Sequence, residues 1–133
     1  MILTDASVIV ALADPREIDH PACVATLAGL SPPMMTTLPA LSEATFLLSR
    51  GRRSLAPLWA LIHRRDLIVH FLDEALLGRG VELMQRYADV PMALADATLV
   101  AIAEHLGEDR IFTLDTHFRI YRTEGRIPFV LVP

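Results

Sequence analysis

The sequence contains no lysine; all 12 of its basic residues are arginine. That absence excludes a phosphate-binding P-loop lysine and any Schiff-base lysine. It leaves arginine as the only permanently cationic side chain for phosphate, a role its planar fork suits. GC-rich coding is the plainest origin of the bias. Cysteine is nearly absent as well: Cys23 stands alone. No internal disulfide framework can form, which fits a reducing cytoplasm, and Cys23 reads as a small apolar core residue. No apolar run approaches the roughly 18 residues of a membrane span. The start, Met1-Ile2-Leu3-Thr4-Asp5, lacks the basic stretch of a secretory signal. A cytoplasmic protein with no membrane part is expected. Glycine is missing from residues 5–13, which excludes the Gly-rich first turn of a dinucleotide- or flavin-binding fold. Positive charge is in deficit too: the formal net charge is -4, which argues mildly against a generic nucleic-acid binder.

What is present is a short, apolar chain. Its 133 residues are 53% hydrophobic with a mean hydropathy of +0.41, and this length predicts a single domain over 1–133. High apolar content without a membrane span implies elements buried on both faces, or an apolar surface that meets a partner. Five runs read as buried strands: Met1–Thr4, Pro33–Thr37, Leu67–Leu72, Arg110–Leu114 and Ile127–Val132. Most are continuously apolar, as central strands of a parallel sheet are. Between them lie helical stretches over Ser7–Ala13, Pro21–Leu30, Pro39–Ser49, Leu55–Arg64, Glu74–Tyr87 and Met92–His105, with a last turn at Thr116–Arg122. Gly107 suits the end of the Met92–His105 helix, and Glu82 and Arg86 are spaced for an i,i+4 pair. Strands alternating with helices predict an α/β fold, a three-layer α/β/α sandwich on a mostly parallel five-stranded sheet.

Four acids stand out against this frame. Asp5 and Asp115 each follow a predicted strand, at the edge where open parallel sheets bind ligands. Each can equally be a helix N-cap, although neither is followed by Glu or Gln at the capping-box spacing. Glu43 and Asp96 lie within predicted helices. Glu43 has Pro39, Ala40, Phe46 and Leu47 at i±3 and i±4, and Asp96 has Met92, Ala93, Leu99 and Val100. A carboxylate on an apolar stripe loses hydration and needs compensation by arginine, a metal ion or a proton; a solvated rim position is the plain alternative. If the helices start at one sheet edge, all four carboxylates converge. Clustered carboxylates repel, and a divalent cation relieves the conflict. Oxygen ligands without His or Cys favour Mg²⁺ or Mn²⁺ over Zn²⁺. The five histidines show no metal-ligand spacing. Trp59, with Leu55, Leu58 and Ile62, reads as core or protein interface.

At these residues the chain resembles the PIN domain and, within it, the VapC-type toxins of bacterial toxin–antitoxin pairs. The matching pieces are Leu3-Thr4-Asp5-Ala6-Ser7, Leu41-Ser42-Glu43, Leu94-Ala95-Asp96-Ala97-Thr98 and Phe112-Thr113-Leu114-Asp115-Thr116-His117-Phe118. The resemblance implies that Asp5, Glu43, Asp96 and Asp115 form a catalytic, metal-binding acidic site. Ser7 and Thr113 would support it through hydroxyl hydrogen bonds. Asp5 and Asp96 are the foremost direct ligands; Glu43 and Asp115 would ligate directly or through water. One departure is Ala93, where many relatives carry a further acid. The implied activity is metal-assisted hydrolysis of RNA, leaving 5′-phosphate and 3′-hydroxyl ends. Arg50, Arg52 and Arg53, and Arg119 and Arg122, are candidates to contact flanking phosphates; solvated helix-end residues are the competing reading. The resemblance further implies a homodimer and a small antitoxin that covers the site, with a groove for it expected between Pro21 and Arg64.

Two other classes compete. A haloacid-dehalogenase phosphatase needs Asp-x-Asp after its first strand, where this chain has Asp5-Ala6-Ser7. Such phosphatases and receiver domains also use a lysine. The second rival is non-enzymatic, a PIN-like module that binds RNA or protein without cutting.

Overall fold

Strand β1 (Ile2–Thr4) is buried along its whole length and sits at the middle of the sheet. Its alternating side chains divide the interior in two. Ile2 packs into one hydrophobic cluster and Leu3 into the other, as a two-residue period requires of a strand covered on both faces. The computed structural model describes residues 1–30, 33–126 and 128–133. After β1 come α1 (Ala6–Ala13), α2 (His20–Gly29), β2 (Met34–Thr37), α3 (Leu38–Arg50), α4 (Ala56–His63), β3 (Leu67–His70), α5 (Glu74–Arg86), α6 (Leu94–Leu106), β4 (Arg110–Phe112), a 3₁₀ turn at Thr116–Arg119, and β5 (Val130–Val132). The sheet order is β3-β2-β1-β4-β5, and every pairing is parallel. This is the expected α/β fold. The chain direction across the sheet reverses beside β1, between β2 on one side and β4 on the other. Ligands of open parallel sheets bind at such a switch point, beyond the strand carboxyl ends.

The two cores have different helices. Residues of α1 and α4, with Cys23 of α2, cover the Ile2 side together with Met34, Leu67 and Phe112. On the Leu3 side, α6 dominates, with Leu83 of α5, Ile111, Phe118 and Tyr121. Helix α6 is buried almost all round from Ala97 to Ala103, which explains its unbroken run of small and branched apolar residues. It ends at Gly107, whose φ of +67° is left-handed and cheap for glycine alone. Helix α3 crosses between the cores, with Ala40 in one and Ala44 and Leu48 in the other.

Several boundaries differ from expectation. The helix predicted from Met92 begins at Leu94, because Ala93 is extended at its N-cap. The strand predicted to Leu72 stops at His70, and Phe71 beyond it is 81% exposed. The strand predicted from Ile127 begins at Val130; Ile127 itself lies outside the described residues. The expected Glu82–Arg86 pair is replaced by Glu82 with Arg79, at 3.1 Å. Arg79 also bonds Glu104 through Nε at 2.8 Å and through its second nitrogen at 3.0 Å. It thereby clasps α5 to α6 in the bidentate geometry that only arginine offers. Leu58 is buried while Trp59 is exposed, so the interface reading of Trp59 survives and the core reading does not. Among the described residues no helix is long and apolar enough to cross a membrane.

Candidate active site

Asp5 leaves the carboxyl end of β1 and caps α1, accepting from the Val8 amide at 3.3 Å. The cap reading therefore holds, and it uses only part of the carboxylate. Ser7 Oγ donates to Oδ1 at 2.6 Å and accepts from the Leu114 amide at 3.0 Å. Thr113 Oγ1 donates to Oδ2 and accepts from the Asp115 amide at 2.9 Å. Two hydroxyls thus tie the segment after β4 to the one after β1, and both expected supporting residues contact Asp5. Asp115 caps the 3₁₀ turn through the His117 amide at 2.9 Å, and His117 Nδ1 lies 3.2 Å from the same oxygen. Asp96 is the third residue of α6, and its Oδ2 accepts from the Ala93 amide at 3.2 Å. That bond is the back-reaching half of a capping box; the other half, an N-cap side chain accepting from the first-turn amides, is one an alanine cannot make.

Asp5, Ser7, Glu43, Asp96 and Asp115 border one cavity of about 110 Å³ at the switch point. Burial raises the Asp5 carboxyl above the ordinary range; the Ser7, Thr113 and Val8 donors lower it, and the Asp115 charge raises it again. Burial raises Asp96 to about 6, against the Ala93 amide and with the charges of Asp115, Asp5 and Glu43 adding to the rise. The acids therefore act on one another through a shared low-dielectric space. No arginine side chain borders that cavity. Among the described residues, no three His, Cys, Asp or Glu side chains are drawn close enough together to hold a metal ion as they stand.

Glu43 is reached differently from expectation. It is exposed, not set on a packed face. The buried face of α3 is Ala40, Ala44 and Leu48, and the stripe of Phe46 and Leu47 beside Glu43 faces solvent. Pro39 and Phe46 beside it line a second, larger cleft of about 860 Å³ with Leu38, Phe71 and Leu94. Glu43 and Ala95 border both spaces. The cleft draws on the expected span between Pro21 and Arg64 only through α3, and otherwise on β3, the residues after it and the start of α6. No sequence signal marks it, because an exposed apolar stripe and a buried one read alike.

The arginine candidates divide. Arg53 Nε is 2.8 Å from the buried Asp14 at the end of α1. Arg122 donates to the carbonyls of Arg119 and Tyr121, at 2.6 and 2.8 Å. Both guanidinium groups thus have local partners. Arg50, Arg52 and Arg119 are exposed. Sequence reasoning also passed over Tyr121, a fully buried phenol whose hydroxyl bonds the Pro91 carbonyl just ahead of α6; no local signal marks it.

Comparison with known proteins agrees with the fold. A family model described as the PIN domain matches residues 2–123. A crystal structure of Mycobacterium tuberculosis VapC20, described as a sarcin-ricin loop cleaving toxin, superposes with a TM-score of 0.78 at 24% identity, covering 87% of this chain and 91% of that one. A toxin–antitoxin complex from Klebsiella pneumoniae gives 0.67 at 19% identity, covering 87% and 88%. A search of curated protein sequences gave no match.

Proposed function

The chain belongs to the PIN domain family, and from that premise we propose that it is a Mg²⁺- or Mn²⁺-dependent endoribonuclease, the toxin of a toxin–antitoxin pair. One observation carries the reading: acids from four separate segments border a single small cavity at the sheet's switch point, with Asp5 buried among them. Gathering like charges around the buried Asp5 costs free energy that its Ser7, Thr113 and Val8 donors offset only in part.

The donor set fits a hard divalent cation. It is all oxygen, from carboxylates and a hydroxyl, with neither imidazole nor thiol on the cavity wall. When bound, such an ion supplies charge neutralisation and an acidified water for attack on phosphorus. The protein's own residues do the rest. Asp5 and Asp96 hold the ion. Ser7 and Thr113 would keep the Asp5 carboxylate oriented for the ion while the other acids draw in around it. Glu43, at the solvent edge, and Asp115 complete the set directly or through water. Exposed Arg50, Arg52 and Arg119 contact flanking phosphates and offset the net negative charge.

A resident antitoxin follows from the same reading, by likeness to the Klebsiella complex. Its apolar segment would fill the cleft of Leu38, Phe46, Phe71 and Leu94, closing the site from beside Glu43. The homodimer belongs here too and is tested by light scattering. The alternative, a PIN module that binds without cutting, draws on the acids' failure to converge on an ion position.

RNA cleavage decides between them. Wild-type protein with Mg²⁺ or Mn²⁺ should cut, EDTA should stop it, and Asp96→Ala should fall to background. Metal-independent cleavage, or full activity in Asp96→Ala, rejects the mechanism. Because such an enzyme can be selective, the substrate panel should include structured rRNA, tRNA and mRNA.

A further inference from the structure

Helix α6 starts without a side-chain cap, because Ala93 at its N-cap has no acceptor to offer. The segment that places Asp96 must therefore be fixed by other means. One is Asp96 itself, bonded back to the Ala93 amide. The other comes from across the chain. Tyr121 is fully buried, and its hydroxyl stands 3.3 Å from the Pro91 carbonyl, to which it donates. Two residues further on, the Ala93 amide donates to the Asp96 carboxylate. The ring cannot swing away. It is held edge to face by Tyr87 and by Phe118, both with ring centres at 5.2 Å. Tyr87 is anchored in turn, its hydroxyl accepting from the Arg122 amide at 2.9 Å. A phenol has one proton to give. It goes to the Pro91 carbonyl, which pins the extended residues whose Ala93 amide holds Asp96.

We infer that Tyr121 is a positioning residue for Asp96: its hydroxyl, locked in an aromatic cluster, pins the Pro91 carbonyl and so holds in place the 91–93 segment whose Ala93 amide orients the carboxylate. On the nuclease reading, from which this part follows, Tyr121 sets the protein's affinity for its divalent cation. The role resembles that of groups that orient metal ligands in general, which act on affinity without touching the ion.

Tyr121→Phe removes one oxygen and leaves the ring in place. Mn²⁺ titration followed by electron paramagnetic resonance should show binding weakened by roughly 10-fold, the lower end of what loss of a ligand-orienting partner costs. The Mg²⁺ concentration for half-maximal cleavage should rise by the same factor, while the rate at saturating Mg²⁺ returns to that of wild type. A purely structural role would lower the saturated rate as well. In metal-free protein, the Ala93 amide should exchange faster with deuterium, while the Leu76 amide, capped by Asp73 on α5, does not change. Tyr87→Phe, whose hydroxyl serves Arg122, should leave Mn²⁺ affinity alone. Placing Tyr121→Phe in an Asp96→Asn background should add little further exchange at Ala93, since the two groups act as one unit. Wild-type Mn²⁺ affinity together with wild-type Ala93 exchange in Tyr121→Phe overturns the inference. If wild-type protein takes up no Mn²⁺, the nuclease reading falls, and Ala93 exchange alone decides whether Tyr121 positions Asp96.

Discussion

Asp96 has two obligations that conflict at neutral pH. It caps its own helix through the Ala93 amide, which favours the charged form, and it shares a buried space with three other carboxylates, which disfavours it. Burial wins, and the group is raised to about 6. In metal-free protein the folded state therefore holds a proton that the unfolded chain releases near the ordinary carboxylate value of 3.8. A state that binds the proton more tightly gains stability as pH falls. The contribution is full below the unfolded value and is lost as pH rises through the folded one. In EDTA, thermal unfolding should shift to higher temperature as pH drops from 7.5 toward 5, with Asp5, raised in the same direction, adding to the trend. Asp96→Asn should flatten the slope, and Mg²⁺ should remove it by making the charged form the favoured one. A melting temperature in EDTA that falls monotonically over that window, and identically in Asp96→Asn, would contradict the shared-space electrostatics. At this scale the sequence was informative. Asp5, Asp96 and Asp115 could be singled out because acids beyond strand ends and on apolar helix faces need an explanation. Glu43 was singled out for its apolar neighbours, of which Ala40 is core while Phe46 and Leu47 face solvent, so the acid itself sits at the rim. Tyr121 was invisible because nothing local says what a buried phenol will meet.

At the scale of elements, periodicity and composition located every strand and helix, and local chemistry moved their ends. The helix expected from Met92 starts two residues later, because the chain stays extended through Ala93 until Asp96 can bond back. The apolar run from Leu67 continues past β3 because Phe71 and Leu72 line a cleft and do not pair in the sheet. Sequence spacing put Glu82 with Arg86. The fold puts Glu82 with Arg79, because Glu104 on α6 draws Arg79 across the groove between the helices and Glu82 sits one turn away. That clasp matters because α6 carries Asp96 at its other end. Glu104 is 8% exposed in its side chain while Arg79 is 25% exposed, so removing the arginine strands a carboxylate that water barely reaches. Arg79→Ala should cost on the order of 1–3 kcal/mol in denaturant unfolding, below the full penalty of a buried pair because Arg79 is partly hydrated. Arg79→Met with Glu104→Met should recover most of it, since the pair's net worth is smaller than the cost of breaking it. Equal losses in the single and double variants would show that packing of the arginine stem, not the ion pair, holds α5 to α6.

The whole molecule presents two unlike surfaces side by side. One is a small acidic cavity; the other is an apolar cleft flanked by Phe46 at 62% exposure and Phe71 at 81%. Composition hinted at the second through its excess of apolar residues, but the place could be found only once α3, β3 and α6 were packed together. Such rings contribute nothing to the core, so a charge in place of one should leave stability within about 0.5 kcal/mol, the range of ordinary surface changes. A buried aromatic anchor at a protein interface, by contrast, carries 2 kcal/mol or more, roughly 30-fold in affinity. Phe71→Glu should therefore keep metal-dependent RNA cleavage while escaping the antitoxin. On the toxin–antitoxin reading, cells that express it with the cognate antitoxin should stop growing, where wild-type protein with the same partner is tolerated. Neutralisation as effective as that of wild type would remove the cleft from the antitoxin interface. Lost cleavage with unchanged antitoxin binding would assign Phe71 to the RNA instead. Halved mass by light scattering would make the cleft the face through which two copies of the chain associate. The three outcomes are separable because the cleft touches the acidic cavity only through Glu43 and Ala95, which leaves Phe71 free to change without disturbing Asp5, Asp96 or Asp115.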